Sequence, residues 1–488
     1  MTDNSACHIA VIGGGIAGST TALHLAEQGY KVTLIEQGSG LVSGPPICHL
    51  HAGGNLYREI SQQQCLDLLK QSIETVRLYP HALNVRPTVI ATPITDSGNP
   101  TDLLPRLEIV KQTYQELVAH DKNNNVLGQP EEYYKLYSQE DLQQLAALTQ
   151  PEHPTTIDDW LIPFAKKAQL DKLKYPVVVV QEFGLSVFRL AASVTMTLEA
   201  HPNCRLLTSS HLDEANFTHS HSPVHSKKQW NIVFTDINNS KHLLKADYLV
   251  NACGYKSGTI DDVTRQPQKR LVEFKSAFVT RWPDCDMKWP EVIFHGERGT
   301  PEGMAQLTPY PDGYFQLHGM TEDITLFKDG LSSSDDASSQ PKLPLELEQK
   351  IRSGWPESIQ THRTSLAIQH LSRFVPTFST AYEAGKPLYG AQQIPGDDPS
   401  LRAVDVSFTL NNYARVEIVK ASSAYQAACK ISNKICEEIG KRLISTGSCS
   451  IEEKHPRHLS LSLDEVEKTA IKLAEERGYP TALAKVLS

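Results

Sequence analysis

A glycine turn between two apolar runs near the start of the sequence constrains the fold more than any other feature. Residues 8–12 form an apolar run typical of a strand that is buried on both faces, and the G-x-G-x-x-G pattern of residues 13–18 follows at once. After one helix length comes a second apolar strand, Lys31 to Ile35, which ends at the acid Glu36. This order and spacing predict a Rossmann-like β-α-β unit that binds a dinucleotide.

Each glycine of the turn has its own physical task. Gly13 permits the tight bend, Gly15 lets a pyrophosphate approach the backbone, and Gly18 lets the helix lie close to the sheet. The N–H groups and the dipole at the start of the helix would hold the pyrophosphate, and Glu36 would accept hydrogen bonds from the ribose. The motif alone does not distinguish FAD from NAD, and a glycine-rich turn without a ligand is the alternative.

A second pattern far along the chain indicates which dinucleotide is bound. The segment KADYLVNACGYKSG, residues 245–258, combines a polar lead-in, an apolar strand and the sequence N-A-x-G, matched by Asn251, Ala252 and Gly254. Together with the glycine-rich loop of residues 37–61, it resembles the D-amino-acid-oxidase (DAO) superfamily of flavoproteins. The resemblance implies FAD rather than NAD, with this strand end passing close to the adenosine and pyrophosphate.

The resemblance also implies an α/β fold in which a Rossmann-like FAD-binding domain of the glutathione-reductase type is interleaved with an α+β substrate domain. Strand-like runs alternate with turns between residues 271 and 326, which suits an antiparallel sheet. We therefore divide the chain into FAD-binding segments 1–86, 175–270 and 361–450, an inserted helical and substrate region 87–174, an antiparallel substrate domain 271–360, and a C-terminal helical appendage 451–488.

The loop after Glu36 carries two different resemblances within the superfamily. The tripeptide His51-Ala52-Gly53 resembles the loop of members that oxidise 2-hydroxyglutarate and dimethylglycine, whereas residues 54–57, GNLY, resemble the loop of tRNA-modifying oxidases. Both imply that the loop faces the isoalloxazine ring. His51 stands where some dimethylglycine-type members bind the flavin covalently and others hold a histidine without a bond, so the resemblance allows either form.

From these motifs we predict a cofactor site formed by five parts of the chain. They are the glycine turn with Glu36, the loop after it, one residue of a later strand, the N-A-x-G segment and the entry to a C-terminal helix. Its residues are Gly13, Gly14, Gly15, Ile16, Ala17, Gly18, Glu36, Gln37, Gly44, Ala52, Gly53, Gly54, Asn55, Leu212, Ala252, Gly254 and Lys420.

Many members of the superfamily take a hydride from a carbon that bears an amine or a hydroxyl next to a carboxylate. This chemistry needs a cation for the carboxylate, and alcohol oxidation needs a base, for which histidine suits neutral pH. The resemblance places Arg415 and Lys420 at the entry to a helix that points at the flavin, where a cation stabilises the reduced ring. A structural role is the alternative for His318, which lies in a strand-like run. The predicted catalytic residues are His318, His51 and Arg415, and the predicted substrate-pocket residues are Tyr57, Arg58 and Tyr310.

These residues favour an FAD-dependent oxidase or dehydrogenase that acts on a small amino acid, a secondary amine or a 2-hydroxy acid. A flavoenzyme that acts on a protein side chain or on modified tRNA is an alternative, as is a flavin-bound structural partner without turnover. A class A flavin monooxygenase is a further alternative, but its second fingerprint has a D-G dipeptide that is missing near Asn251. Gly396-Asp397 matches its third motif only superficially.

Composition narrows the class of partner and the compartment. A net charge of −9 gives no basic surface for nucleic acid. The sequence has no apolar run of membrane-spanning length and no secretory signal, so we expect a cytoplasmic protein without a membrane span. The 9 cysteines are scattered without a C-x-x-C pair, which argues against a disulfide framework and a zinc site. A solvated hairpin tip is the expected setting of His219, His221 and His225, so we expect no metal site. We expect a small-molecule substrate, and a protein substrate or partner is an option.

Overall fold

The structure is a computed structural model and describes residues 7–44, 50, 54, 56–219, 228–404, 406–409, 412–439 and 460–487. The strands are β1 (His8–Ile12), β2 (Lys31–Ile35), β3 (Leu83–Asn84), β4 (Thr88–Pro93), β5 (Tyr134–Tyr137), β6 (Leu173–Val180), β7 (Gly184–Leu185), β8 (Cys204–Leu207), β9 (His211–His219), β10 (Lys228–Thr235), β11 (Lys241–Ala246), β12 (Tyr248–Asn251), β13 (Arg270–Arg281), β14 (Glu291–Phe294), β15 (Ala305–Pro309), β16 (Tyr314–Gly319), β17 (Leu331–Ser333), β18 (Tyr382–Glu383), β19 (Leu388–Pro395), β20 (Val406–Thr409) and β21 (Tyr413–Val416). The helices are α1 (Ile16–Glu27), α2 (Leu56–Glu59), α3 (Gln62–Leu78), α4 (Leu104–His120), α5 (Gln139–Ala146), α6 (Ile157–Lys167), α7 (Val187–Glu199), α8 (Ser257–Thr264), α9 (Leu345–Ser353), α10 (Glu357–Ser372), α11 (Ala424–Ile439) and α12 (Leu463–Glu476).

The predicted β-α-β unit is confirmed and forms the centre of a six-stranded sheet. The strand order is β20-β21-β12-β1-β2-β8, and all neighbours are parallel except β20 at the edge. Ile9 and Val11 of β1 face a core that includes residues of α1 and α11, whereas Ala10 and Ile12 face the three-stranded sheet β11-β10-β9. Because both faces are covered, most residues of the central strands are apolar.

The second large sheet is mixed and has the order β17-β13-β16-β15-β14-β4-β6-β5, with β18 and β19 also paired to β13. Its neighbours are antiparallel except for the parallel pair β14 and β4. Helices α5, α6 and α10 cover one face, where Phe294 stacks on Phe374 with the ring centroids 4.4 Å apart. Together, the two sheets give the predicted combination of a Rossmann-like domain with a substrate domain.

Strand β6 lies in a different sheet from the one that the sequence suggested. Its apolar run falls in the segment 175–270 that we had assigned to the FAD-binding domain, but β6 pairs antiparallel with β4 and β5. An apolar run indicates that a strand is buried, but the identity of its neighbours depends on contacts distant in sequence. The residues of β6 therefore belong with the substrate sheet.

A buried carboxylate joins the two sheets. Asp261 in α8 accepts a hydrogen bond from Arg415 Nε of β21 at 2.6 Å and one from the Tyr413 hydroxyl at 2.7 Å. Its other oxygen contacts the guanidinium of Arg270, the first residue of β13. Arg270 also donates to Gln393 Oε1 of β19 at 3.0 Å. Because Arg415 comes from the parallel sheet and Arg270 from the mixed sheet, this network fixes their relative orientation.

The C-terminal appendage packs on its own chain. Helix α12 begins with a capping box, in which Ser462 and Glu465 each accept a hydrogen bond from the other's backbone N–H. The helix lies against α7, where Arg189 Nη1 is 2.7 Å from Glu467 Oε2. Among the described residues, no helix has both the length and the apolar character needed to cross a membrane. Cys429 takes part in a disulfide, which the scattered cysteine spacing did not predict.

We predict that Asp261→Ala destabilises the protein by about 3–5 kcal/mol, because it leaves two buried guanidinium groups without their carboxylate. The matched control is Arg352→Met, which breaks an exposed pair with Glu348 and should cost less than about 1 kcal/mol. Thermal and urea unfolding of both variants would measure the difference. Equal stability losses would show that the network does not hold the two sheets together.

Candidate active site

The glycine turn has the close packing and the open position that a dinucleotide needs. Gly13 has φ +97°, and a Cβ there would lie 2.6 Å from the carbonyl oxygen of Ala252. A Cβ on Gly18 would lie 1.8 Å from the carbonyl oxygen of Gly13. By contrast, a Cβ on Gly15 would meet no heavy atom within 4 Å, and Gly15 is the uncapped N-cap of α1. The turn therefore fits the pyrophosphate of FAD, with open space beside the N-terminus of a helix.

Glu36 is held in place by backbone N–H groups at the end of β2. Its Oε2 accepts a hydrogen bond from Gly14 N at 2.5 Å, and its Oε1 accepts one from Gly38 N at 2.6 Å. Each carboxylate oxygen retains a further acceptor position, so Glu36 can still receive a ribose hydroxyl. The backbone of Glu36 is bonded to Leu207 O and Ser210 N at 2.8 and 2.9 Å, so these two residues, which the sequence did not single out, flank this acid.

The other predicted cofactor residues are placed as follows. Ile16 and Ala17 form the first turn of α1, and Ala252 follows β12 with its N–H bonded to Ile12 O at 2.8 Å. Gly254 has φ +57°, and a Cβ on Gly44 or Gly254 would meet no heavy atom within 4 Å. Gln37 Oε1 accepts from Lys256 Nζ at 3.4 Å, and Leu212 in β9 packs on the cluster between the parallel and three-stranded sheets. His51, Ala52, Gly53 and Asn55 lie outside the described residues, so the question of a covalent flavin stays open.

The C-terminal appendage reaches the glycine turn through one arginine. Arg477, which follows α12, donates from Nη1 to Val42 O and from Nη2 to Leu41 O, both at 2.8 Å. Val42 N in turn donates to Gly14 O at 2.8 Å. A Cβ on Gly14 would lie 2.6 Å from Leu41 Cδ2, so this loop lies directly on the turn. Arg477 therefore supports the loop that covers the dinucleotide motif.

The ten-stranded sheet has one apolar and one polar face in its β15-β16 hairpin. Leu307, Phe315 and Leu317 point into the core beneath α5, α6 and α10. On the opposite face, Gln306 stands opposite His318, and Thr308 stands opposite Gln316. Side chains alternate along a strand, so the same side of the sheet continues onto β14 and β4, where it carries Glu291 and Thr88 beside Ile293 and Ile90. The Tyr310 hydroxyl donates to Gln316 Oε1 at 3.2 Å, which places Tyr310 beside the same face.

The polar face looks toward the FAD-binding domain. A Cβ on Gly54 would lie 2.6 Å from Ile293 Cδ1 and 3.1 Å from Ile90 Cγ1, both on this face. At the other side, Gln392 Nε2 of β19 donates to Val419 O at 2.6 Å, next to Lys420 and the entry to α11. The face therefore lies between Gly54 and the entry to α11, which makes it the candidate active site.

Tyr57 and Arg58, which we predicted to line a substrate pocket, each bind a carboxylate of the protein itself. The Tyr57 hydroxyl donates to Glu182 Oε1 at 2.5 Å and lies 3.1 Å from the Tyr133 hydroxyl, and burial raises the pKa of Tyr57 well above its usual value. Glu182 also accepts from Gly54 N at 3.2 Å. Arg58 pairs with Asp96 at 2.9 Å. Both side chains therefore tie this segment to distant parts of the chain. Because their partners lie far away in sequence, these contacts could not be predicted from the local pattern.

The side chain of Arg415 is engaged away from the position that we predicted for it. It is 1% exposed, and its guanidinium contacts Asp261 Oδ1 and Gln266 O. A buried cation already paired with a carboxylate has little free charge to offer a reduced flavin, so the structure favours a positioning role. Lys420 lies directly before the short turn Ala421–Ser423 that leads into α11, and its place beside the flavin stays a prediction.

The sequence did not single out His295, which directly follows β14 on the polar face. Its Nδ1 lies 3.5 Å from Thr92 Oγ1, and its side chain is buried. Burial lowers the pKa of His295 to about 4, and the nearby charge of Arg58 acts in the same direction. This histidine is therefore neutral at pH 7. A signal was available in the sequence EVIFHG, in which a polar residue ends an apolar strand.

A compact group of charged residues also lies at the polar face. Lys275 Nζ is 2.7 Å from Glu273 Oε2, and both residues belong to β13. The guanidinium of Arg298 contacts the other oxygen of Glu273. Arg402 acts electrostatically on both β13 residues. We call these four residues the cationic cluster. The described residues contain no group of three or more His, Cys, Asp or Glu side chains placed to hold a metal ion.

Comparison with known families agrees with this geometry. A family model described as DAO, FAD dependent oxidoreductase, matches residues 8–393. That range includes the glycine turn, the N-A-x-G segment and the polar face. No curated protein sequence matches the chain significantly.

Solved structures share the fold at low sequence identity. Glycerol-3-phosphate dehydrogenase from Bacillus halodurans, complexed with FAD, has a TM-score of 0.54 at 13% identity and covers 99% of this chain and 82% of its own. Glycine oxidase from Geobacillus kaustophilus has a TM-score of 0.53 at 12% identity, and the match covers 88% of this chain and 95% of the oxidase. L-proline dehydrogenase from P. horikoshii has a TM-score of 0.51 at 16% identity, and the match covers 89% of this chain and 94% of the dehydrogenase. At these identities the similarity establishes the fold.

We predict that Gly15→Ala folds but binds FAD weakly. The added methyl group has room in the protein, yet it occupies the approach of the pyrophosphate, at a cost of about 1.5–3 kcal/mol for each charged hydrogen bond lost. Gly18→Ala should instead unfold, because its methyl group collides with Gly13 O. Thermal melting of the apoproteins and FAD titration by fluorescence separate the two effects. Normal FAD affinity in Gly15→Ala would contradict this placement of the pyrophosphate.

We predict that Arg477→Met weakens FAD binding by about 1.5–3 kcal/mol, because the loop over the glycine turn loses two charged hydrogen bonds. The control is Lys472→Met on the same appendage, whose side chain is 75% exposed. Equilibrium dialysis of FAD against both variants measures the effect. If Arg477→Met retains FAD as well as the control does, the appendage has no part in holding the cofactor.

Proposed function

The chain belongs to the DAO family of FAD-dependent oxidoreductases, and we propose that it oxidises a small amino acid, a secondary amine or a 2-hydroxy acid. In this reaction a hydride leaves the carbon that bears the nitrogen or oxygen, and the flavin of FAD is its acceptor. The observation that carries the proposal is the polar face of the ten-stranded sheet, because it presents His318 and cationic groups toward the FAD-binding domain.

The cationic cluster supports binding of an acid. A substrate carboxylate beside the reacting carbon requires a cation that is shielded from bulk water, where its attraction is strong. Lys275 is 16% exposed and Arg402 is 9% exposed, so both meet this requirement better than a surface lysine does. Orientation of the carboxylate would fix which hydrogen faces the flavin.

His318 is the residue that we propose as the base for hydroxy acids. A hydroxyl group has to lose its proton as the hydride leaves, and a neutral imidazole can accept that proton at Nδ1 or Nε2 near neutral pH. A neutral amine has no such requirement. His295 is a poorer choice because its pKa lies at about 4. It can still offer a hydrogen bond on the same face.

The reaction class is tested by mixing the yellow holoenzyme anaerobically with a panel of amino acids, secondary amines and 2-hydroxy acids while flavin absorbance is recorded. We predict bleaching by at least one class. For a hydroxy acid, His318→Asn should slow reduction by about 10²–10⁴-fold, the usual contribution of a general base. His362→Asn, at an exposed histidine of α10, is the control.

The outcomes distinguish the reaction from the base. If no compound of the three classes reduces the flavin, the proposed function is wrong. If hydroxy acids reduce the flavin and His318→Asn matches His362→Asn, the reaction stands and another group is the base.

A further inference from the structure

We propose that Gln306 is a positioning residue that holds the imidazole of His318 in one tautomer, and that the buried carboxylate of Glu291 sets the direction of the Gln306 amide. This proposal rests on the proposed function and specifies how its base is prepared. The hydrogen-bonded chain begins at Arg86, passes through Glu291 and Gln306, and ends at His318 on the polar face.

A buried ion pair lies at the start of this chain. Arg86 comes from the loop between β3 and β4, Glu291 is the first residue of β14, and each side chain is 2% exposed. A Cβ on Gly184 would lie 2.6 Å from Arg86 Nη2, so the glycine makes room for the guanidinium. Burying two charges is costly even when they are paired. Stability alone therefore does not account for an ion pair at this place in the sheet.

The second oxygen of Glu291 fixes the amide of Gln306. Arg86 Nη1 contacts Glu291 Oε2, and Gln306 Nε2 donates to Glu291 Oε1. A carboxylate only accepts hydrogen bonds, so the NH₂ end of the amide has to face it. The carbonyl oxygen of Gln306 consequently points away from Glu291. Because Gln306 is only 4% exposed, this oxygen needs a donor from the protein or from a ligand.

The neighbours of Gln306 on the sheet assign that donor to His318. Gln306 lies between the apolar Ile293 of β14 and His318 of β16. Thr308, two positions along β15, has a buried hydroxyl without a hydrogen-bond partner in the described part of the chain, so it does not donate to Gln306. Opposite residues on one face of an antiparallel pair have Cβ atoms about 4.5–5.5 Å apart, within reach of a glutamine side chain.

The direction of this one amide decides what His318 can do. A neutral imidazole carries its proton on one of two nitrogens, and a hydrogen bond at one nitrogen selects the tautomer. When the N–H of His318 is bound to Gln306, the other nitrogen keeps its lone pair and can accept the proton of a substrate hydroxyl. In the opposite tautomer an N–H would face the substrate, and His318 would be a donor instead of a base.

Nitrogen NMR of holoenzyme labelled at histidine measures the tautomer directly, with the His318 signal assigned by its loss in His318→Asn. At a pH where the ring is neutral, Gln306→Leu should change the tautomer ratio of His318 by about 10-fold, the effect of losing one hydrogen bond. The matched control is Gln316→Leu, because Gln316 is a buried glutamine on the same hairpin face whose amide is bonded to Tyr310. This control should retain the wild-type ratio.

Glu291→Gln should reverse the tautomer. Arg86 only donates, so the carbonyl oxygen of the new amide has to face Arg86, and its NH₂ group then faces Gln306. The Gln306 amide turns over to accept this hydrogen bond and presents its own N–H to His318. The ring nitrogen that donated in wild type now accepts, so the other nitrogen carries the proton. Flavin reduction by a hydroxy acid should slow by as much as in His318→Asn.

The outcomes separate a positioning role from the alternatives. The proposal is overturned if Gln306→Leu keeps the wild-type tautomer ratio, or if Gln316→Leu changes that ratio equally. A slower reduction in Gln306→Leu without a tautomer change also overturns it, and would show that Gln306 binds the substrate instead. Gln306→Leu keeps the pair of Arg86 and Glu291, so it tests the proposal even where Glu291→Gln fails to fold. The tautomer is measured without a substrate, so the proposed function fails separately, when no compound of the panel reduces the flavin.

Discussion

The orientation of the two sheets depends on one buried carboxylate, that of Asp261. It receives Arg415 from the parallel sheet and Arg270 from the ten-stranded sheet, and none of the three side chains is more than 1% exposed. Buried charges are costly unless they remain paired, so a shift of one sheet against the other would leave buried charges unpaired and raise the free energy of the folded state. Hydride transfer requires the donor carbon and the flavin at a fixed short distance, and a rigid joint of this kind meets that requirement.

The strand that begins at this joint, β13, also carries part of the proposed substrate site. Arg270, Val272 and Phe274 of β13 share one side of the strand, whereas Glu273 and Lys275 share the other. One backbone carries the side chains on both sides of the strand, so the contact of Arg270 with Asp261 also helps to position Glu273 and Lys275 on the opposite side. A substitution at the joint would therefore also move Glu273 and Lys275.

The sequence predicted those features whose interacting residues lie close together along the chain. The glycine turn, Glu36 and the N-A-x-G strand are local patterns whose spacing dictates their geometry, and the structure has them as expected. The role of Tyr57 depends on Glu182, which is 125 positions away, and that of Arg415 depends on Asp261, 154 positions away. Residue type alone cannot reveal such partners. An arginine that clamps a substrate and one that joins two sheets look alike in sequence.

Glu273 explains how a cluster of three cations can exist before a substrate binds. Without it, Lys275, Arg298 and Arg402 would repel one another in a region where water screens poorly. With it, Lys275 and Arg298 are held in a defined geometry around one carboxylate. The cost of desolvating these groups is met in folding, so an incoming substrate carboxylate would encounter a preorganised site. Attraction of a substrate acid would then arise from charge that the folded protein already holds in place.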